Sequence, residues 1–140
     1  MLPSDDLSYL LAHMSPALHS RGYRFRSLPE EEALPWMTQS LGWFREEEGI
    51  TLILPTPAGE EEWACITLSV YSSLTAVGFL ALIARHLAEA DIPLNVVSAV
   101  HHDHLFVPWE RRTQALQVLE NVIRQARHTS GEDCTHRPDC

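Results

Sequence analysis

Hydrophobic and polar positions change their period along Trp63–Pro108 in an order that predicts strand, turn, helix, strand, turn and strand. In Ala64–Val70 every second residue is apolar, which is typical of a strand with one buried face. After a polar turn, Ser72 and Ser73 offer a helix N-cap, and a helix is predicted from there to about Ala90. The first part of this unit is therefore a strand that leads into a helix.

Two further strands complete the unit. Leu94–Val100 alternates again, and the apolar run Leu105–Val107 follows within the reach of a hairpin. The junction Tyr71–Gly78, where a strand ends and a helix begins, is expected to expose backbone N–H donors at the positive end of a helix dipole. Such a junction is a favourable place for a carboxylate or another small anion.

The first half of the chain predicts one helix and three strands. The predicted elements are an amphipathic helix at residues 7–14, a strand at Tyr23–Leu28, a loop or short helix at Leu34–Leu41, and a hairpin of Trp43–Glu46 and Ile50–Leu54. The turn-rich segment Pro55–Gly59 reads as a linker between two units. We therefore expect an N-terminal subdomain at residues 1–57 and a C-terminal one at 58–127.

The end of the chain combines a clear helix with a polar tail. An apolar stripe predicts a helix from Trp109 to about Arg127. Residues 128–140 contain no apolar residue other than cysteine, so this tail is predicted to be disordered. Cys134, His136 and Cys140 have the composition of a metal-binding tail, but a second ligand pair is missing from the sequence.

The helix predicted to begin near Ser73 is apolar on every side. A helix that packs only on a sheet shows a polar outer face, and residues 76–84 of this helix are apolar throughout except for Gly78. Its outer side is therefore expected to be covered by the N-terminal subdomain, by a second copy of the chain, or by both.

Two motifs lie at the ends of this unit: Ser72–Gly78 reads SSLTAVG, and His102–Pro108 reads HDHLFVP. At these residues the chain resembles the ACT domain, a small-molecule-sensing module, and is similar to a bacterial family of short proteins with two ACT parts. A helix-opening glycine and a hairpin aspartate are similarly arranged in eukaryotic arginine sensors built from ACT domains. The resemblance implies an α+β fold of two ferredoxin-like, βαββαβ-related halves, with antiparallel sheets and helices on one face.

The resemblance also implies a regulatory or sensory protein that binds a small metabolite, most plausibly an amino acid, and has no catalytic activity of its own. The ligand carboxylate would lie on backbone donors of residues 72–78. Its ammonium would pair with Asp103, a hairpin residue expected to be solvated without ligand, or with carbonyl oxygens of a neighbouring strand. The predicted ligand-binding residues are Ser72, Ser73, Leu74, Thr75, Gly78, Asn95, Val96 and Asp103. Ordinary structural roles remain open for them: capping for the serines, helix packing for Gly78, and a backbone hydrogen bond for Asn95.

Charge narrows the choice of partners. The formal net charge of −9 argues against nucleic acid and against an anionic membrane surface, because both select basic proteins. No secretory signal is recognisable at the N-terminus, and the longest apolar run is far shorter than the ~20 residues that span a bilayer. We expect a cytoplasmic homodimer with a small-molecule ligand and no cofactor.

The run His101–His104, with the sequence HHDH, invites a metal interpretation. Neighbouring side chains of a strand point to opposite faces, so at most alternate members of this run converge, and no metal site is predicted here. Two other classes of function remain as alternatives. One is a structural dimerisation module, and the other is a small metal-dependent enzyme that uses His101–His104.

Overall fold

The computed structural model describes residues 2–135 of the chain, with side chains described for residues 2–129. The strands in this range are β1 (Pro16–Leu28), β2 (Gly42–Glu46), β3 (Gly49–Pro55), β4 (Trp63–Leu68), β5 (Asn95–Ser98) and β6 (Asp103–Pro108). The helices are α1 (Leu7–His13), α2 (Glu30–Met37), α3 (Phe79–Glu89) and α4 (Arg112–Thr135), with a 3-10 turn at Trp109–Arg111 before α4.

The six strands form one antiparallel sheet in the order β2-β3-β1-β4-β6-β5. The first strand of each half lies at the centre, where Gly22 of β1 pairs with Ala64 of β4. Each half supplies three neighbouring strands, and β1 occupies the position that a fourth strand of the second half would take. The predicted α+β fold of two ferredoxin-like halves is confirmed, and their sheets join edge to edge.

Strand alternation divides the sheet into a helix face and an aromatic face. On the helix face, Ile66 and Leu105 are fully buried with the helices of the second half, and Leu52 is buried beside Ala33 of α2. The aromatic face is defined by a smaller cluster of strand residues: Tyr23, Phe25, Ile53, Trp63, Cys65 and Phe106. All four helices therefore lie on one side of the sheet, as expected.

Helix α1 precedes the first strand but packs with the second half. Its Leu10 is fully buried in the same cluster as Phe79 and Ile83 of α3 and Leu119 of α4. Burying one such side chain contributes about 1.5–3 kcal/mol to folding. The N-terminal segment thus covers part of α3, which is one of the two explanations expected for a helix that is apolar on every side.

Several boundaries differ from the sequence prediction. Helix α2 occupies Glu30–Met37 rather than Leu34–Leu41. Its first turn contains three glutamates, whose charges are favourable at the positive end of a helix dipole. Strand β1 begins at Pro16, seven residues before the predicted start.

Helix α4 continues to Thr135, so residues 128–135 are helical where a disordered tail was predicted. The side chain of Cys134 and residues His136 and Cys140 lie outside what the structure describes. Within the described part of the chain, the helices are too short or too polar to cross a membrane.

Candidate functional site

The loop between β4 and α3 is held by its own hydrogen bonds. The Ser73 hydroxyl accepts the Thr75 backbone N–H at 3.1 Å, and the Ser73 carbonyl accepts the Ala76 N–H at 3.0 Å. Ser73 therefore closes a tight turn instead of capping a helix, and α3 begins six residues later, at Phe79. The predicted cap at Ser72 or Ser73 was wrong.

The N-terminus of α3 is instead preceded by Gly78, which adopts a left-handed conformation with φ of 89° and ψ of −13°. No side chain among the described residues caps this helix. Its first intrahelical hydrogen bond runs from the Leu82 N–H to the Gly78 carbonyl. The N–H groups of Phe79, Leu80 and Ala81 therefore lack intrahelical acceptors and point out of the positive end of the helix.

Asp103, the first residue of β6, points to the helix face and is only 5% exposed. Its Oδ2 accepts a hydrogen bond from the Ser72 hydroxyl at 2.9 Å, and its partner across the hairpin is Ser98 of β5. The expectation of a solvated hairpin aspartate was therefore wrong. Asp103 is a buried carboxylate held by one hydroxyl of the loop.

A cavity of about 130 Å³ lies where these three features meet. Its lining residues are Ser72, Ser73, Leu74, Ala76, Gly78, Phe79, Leu80, Ala81, Ser98, Ala99 and Asp103. The cavity is thus bordered by the loop, by the uncapped start of α3 and by a buried carboxylate. Donors for an anion and an acceptor for a cation face the same small space.

Five of the eight predicted site residues line this cavity, and three do not. Thr75 lies in the loop but makes hydrogen bonds to Ser73 through its hydroxyl and its N–H. Asn95 pairs with Phe106 and so faces the aromatic side of the sheet, whereas Val96 pairs with Leu105 and lies two residues before Ser98 on the helix face. Ser98 was not among the predicted residues; the register of the β5–β6 hairpin places it opposite Asp103.

The N-terminal segment is bonded directly to the site loop. The Ser4 N–H donates to the Tyr71 carbonyl at 2.9 Å, and the Ser73 N–H donates to the Ser4 carbonyl at 2.7 Å. A Cβ placed on Gly78 would lie 3.7 Å from Cδ2 of Leu7 in α1. The loop that borders the cavity is therefore connected to a helix of the other half.

The run His101–His104 does not converge on one point. His101 stacks on Tyr71, and Asp103 faces the cavity. His104 points to the aromatic face, where its imidazole is hydrogen-bonded to the Thr67 hydroxyl. This is the divergence that strand alternation predicts. The alternative of a metal enzyme built on this run loses its geometric basis.

Three neighbouring strands also place a group of polar side chains on the aromatic face, and this group was not predicted from the sequence. The Thr67 hydroxyl of β4 lies 2.8 Å from Nε2 of His19 in β1 and 2.9 Å from Nδ1 of His104 in β6. Burial lowers the pKa of both histidines, because a charged imidazole is disfavoured away from water. Cys65, two residues before Thr67, is fully buried, and burial raises the pKa of its thiol to about 11.

Two larger hollows are open and contain charged groups that already have structural partners. The first, of about 640 Å³, is lined in part by His102 and by Asp6, which accepts the Tyr9 N–H as the N-cap of α1. The second, of about 560 Å³, is lined by Arg24 and Arg26, which both pair with Glu62. The small cavity combines a buried carboxylate with an uncapped helix, so it is the stronger candidate for a site.

Comparisons with known proteins bear on the family. Two family models, both described as ACT domain, match residues 4–62 and 60–121. The crystal structure of a Vibrio cholerae protein of unknown function, described as a possible transport protein, matches at 40% identity with a TM-score of 0.67. That match covers 79% of this chain and 90% of the Vibrio protein.

A crystal structure of a protein from Agrobacterium tumefaciens matches at 18% identity with a TM-score of 0.64, covering 79% of this chain and 89% of that one. At this identity the match supports the fold alone. A search of curated proteins found no significant match.

The fold and the cavity define a two-part ferredoxin-like protein whose strand-to-helix junction borders a small cavity. The chain belongs to the ACT domain family. The resemblance seen in the two motifs is thus confirmed, and membership indicates a regulatory, ligand-binding role. The two family matches meet at residues 60–62. A boundary between the halves after residue 57, in the turn between β3 and β4, stays a prediction.

Gly78→Val is expected to lower the free energy of unfolding by roughly 2 kcal/mol, because a β-branched residue is strained at a φ of 89°. Gly78→Asn should cost clearly less, since asparagine adopts the left-handed region more readily. Urea denaturation of the two variants measures the difference. Equal losses for valine and asparagine would show that space, and not backbone conformation, requires glycine here.

Proposed function

We propose that the protein is a regulatory or sensory ACT protein that binds a small amino acid in the cavity at the start of α3. The observation that carries this proposal is that the uncapped N-terminus of α3 and the buried carboxylate of Asp103 line the same cavity. A zwitterion offers one charge to each. We further propose that the protein acts in the cytoplasm and has no catalytic activity of its own.

The charges assign an orientation to the ligand. Its carboxylate would accept hydrogen bonds from the N–H groups of Phe79, Leu80 and Ala81, where the helix dipole also favours negative charge. Its ammonium would donate to the Asp103 carboxylate, a charge-assisted hydrogen bond. Ser72 and Ser98 border the same space and offer hydroxyl groups to either end of the molecule.

The size of the cavity restricts the side chain of the ligand. At about 130 Å³ it is smaller than the ~300–1,000 Å³ of pockets that enclose drug-sized molecules. The walls near the helix are the small or apolar residues Ala76, Phe79 and Leu80. Amino acids with short side chains, such as glycine, alanine, serine and threonine, fit this description best.

A route for the response follows from the hydrogen bonds of the loop. A ligand that orders residues 72–78 also strengthens the attachment of Ser4, because Ser4 bonds to both Tyr71 and Ser73. Helix α1 follows Ser4 and is buried against α3 and α4. Occupancy of the cavity would thereby change the packing of the N-terminal segment on the second half, which is a coupling between two parts of the chain.

A thermal-shift screen tests the proposal with glycine, alanine, serine and threonine. A ligand at 100 times its dissociation constant adds about 2.7 kcal/mol of stability, which raises the melting temperature of a domain of this size by roughly 5–10 °C. Ethylamine and propionate, which each retain one charged group of alanine, serve as controls and should shift it much less. A propionate response as large as that of alanine would contradict the ammonium contact.

Asp103→Asn is expected to weaken amino-acid binding by about 1–3 kcal/mol, the scale of one charge-assisted hydrogen bond. The fold should survive, because the asparagine carbonyl still accepts the Ser72 hydroxyl. Calorimetric titration measures the affinity, and melting temperature without ligand checks the fold. The control is His102→Ala, whose side chain borders the hollow of about 640 Å³ and not the cavity; this variant should bind normally. If Asp103→Asn bound the amino acid as tightly as the parent protein, Asp103 would not be the group that binds the ligand ammonium.

One observation favours a second function, that of a dimerisation module. Strand β5 is an edge of the sheet, and its Val96 and Val97 are exposed, as is Val100 beyond it. An apolar edge strand is a surface on which a second chain pairs readily. Sedimentation with and without alanine separates the two functions: a dimer that ignores every amino acid in the screen would support a purely structural module.

A further inference from the structure

Three residues that are far apart in the sequence meet on the aromatic face: His19 of β1, Cys65 of β4 and His104 of β6. One metal-ligating atom of each lies within 4.8 Å of the other two. The thiol is fully buried, and both imidazoles are half-buried. The group lies on the side of the sheet opposite the cavity at α3, so it is independent of the function proposed for that cavity.

The sheet register produces this arrangement. Thr67 of β4 pairs with His104 of β6, and Cys65 lies two residues earlier on β4, so all three side chains share one face. On the other side of β4, the register with β1 shifts between Leu18 and Gly22. His19 lies in that irregularity, which re-aims its side chain toward Thr67, as β-bulges commonly do.

We propose that His19, Cys65 and His104 form a binding site for a transition-metal ion, with Zn²⁺ as the best match. Two imidazoles and a thiolate are ligands of the type that zinc and copper prefer over oxygen-only sites. In a tetrahedral zinc site the N and S ligand atoms lie roughly 3.3–3.6 Å apart, given Zn–N of about 2.0–2.1 Å and Zn–S of about 2.3 Å. The ligand atoms lie within 4.8 Å of one another, so binding of the ion requires them to approach by up to about 1.5 Å.

The surroundings supply what a metal site needs beyond its first ligands. The Tyr23 hydroxyl lies 3.0 Å from Nδ1 of His19 and fixes the orientation of that ring. His104 also lines a separate hollow of about 250 Å³, whose other walls include Ile53, Val97 and Phe106. With three protein ligands the ion would keep a fourth position free, and His104 is the ligand that borders this apolar hollow. The ion would accept water or a small soft ligand there.

A network of hydrogen bonds without metal is the competing explanation. The Thr67 hydroxyl has one donor and two acceptor sites, enough to bridge one imidazole nitrogen and one imidazole N–H. Such a bridge accounts for the two histidines, and Cys65 would then serve only as an apolar side chain of the aromatic cluster. The two explanations differ in whether the thiol becomes a metal ligand.

The experiment uses Co²⁺ as a coloured substitute for Zn²⁺, because a thiolate ligand adds a charge-transfer absorption to the cobalt spectrum. The background is the full chain with Cys134→Ser and Cys140→Ser, in which Cys65 is the only thiol. Chelator-treated protein is titrated with Co²⁺ and then with Zn²⁺. We expect a thiolate band at one equivalent of Co²⁺ and its loss when Zn²⁺ displaces the cobalt.

Matched variants locate the ligands. His19→Gln and His104→Gln should each weaken Co²⁺ binding by at least ~10-fold, since even loss of an outer partner of a ligand costs about 10–100-fold. His101→Gln and His102→Gln should bind like the background, and melting without metal checks that every variant folds. Absence of the thiolate band in the background variant would overturn the proposal. So would a band that persists unchanged in both His19→Gln and His104→Gln.

Discussion

Replacing Leu10 by alanine is expected to lower the free energy of unfolding by about 2–5 kcal/mol, the range for a fully buried leucine. Leu10 belongs to α1, which precedes the first strand of the first half, yet its side chain lies in the core of the second half with Ile83 and Leu119. The lost methyl groups would leave a cavity between three helices, which the surrounding sheet and helices fill only in part. Urea denaturation at neutral pH measures the loss.

Leu34→Ala is the matched control. Leu34 also lies in a short helix, α2, but is 57% exposed, so its truncation should change stability by no more than about 0.5 kcal/mol. If both variants lost the same small amount, α1 would not be docked on the second half. The proposed route from the cavity to α1 would then fail as well, because it depends on that docking.

The strands of the second half were predictable because apolar and polar residues alternate clearly along short segments of the sequence. The alternation of Ala64–Val70 and Leu94–Val100 located β4 and β5, although each observed strand is shorter than the alternating stretch. The two motifs also indicated the protein family, which the periodicity of apolar residues alone does not reveal. The hairpin of β2 and β3 was also found, because Gly49 marks a turn between two apolar runs.

The first residues of the helices were harder to predict, because the same residue types occur in helix caps and in turns. Ser73 has the chemistry of an N-cap, but its hydroxyl closes a turn with Thr75, and the actual boundary is the left-handed Gly78. The three glutamates that open α2 lie before Leu34, where the loop or short helix was predicted to begin. In the structure they occupy the first helical turn, where the dipole favours them.

The location of the candidate site was predicted from the sequence, but the full set of residues that line the cavity was not. The loop and Asp103 follow from the motifs, whereas the positions of Asn95 and Ser98 depend on the register of the β5–β6 hairpin. A shift of one residue in register moves a side chain to the other face, and the sequence does not fix that register. For this reason Asn95 was placed in the site and Ser98 was overlooked.

No pattern in the local sequence predicted that His19, Cys65 and His104 would lie together. Its members lie on three strands that are neighbours only because β1 of the first half pairs with β4 of the second. Neither motif contains His19 or Cys65. Knowledge of the strand order, together with the bulge around His19, was required to bring them together.

Gly22→Ala is expected to destabilise the protein by about 3 kcal/mol, the upper range for overpacking, through a clash at the junction of the two halves. Gly22 lies at the centre of the sheet, opposite Ala64, and its carbonyl accepts the Thr56 N–H at 2.9 Å. A Cβ at this position would overlap the Cβ of Glu61 and lie 3.0 Å from its Cα. Because one of these atoms belongs to the backbone, the connection between β3 and β4 must move to relieve the contact.

Gly42→Ala provides the matched control, since Gly42 is also a strand residue but a Cβ there meets nothing within 4 Å. Alanine should leave stability unchanged or raise it by about 0.5–1 kcal/mol, because glycine loses more backbone entropy on folding. Urea denaturation of both variants gives the comparison, with the slope of the transition as a check on two-state behaviour. A Gly22→Ala protein as stable as Gly42→Ala would mean that the connection at Glu61 does not cross closely over β1. The two halves would then be joined more loosely than their shared sheet indicates.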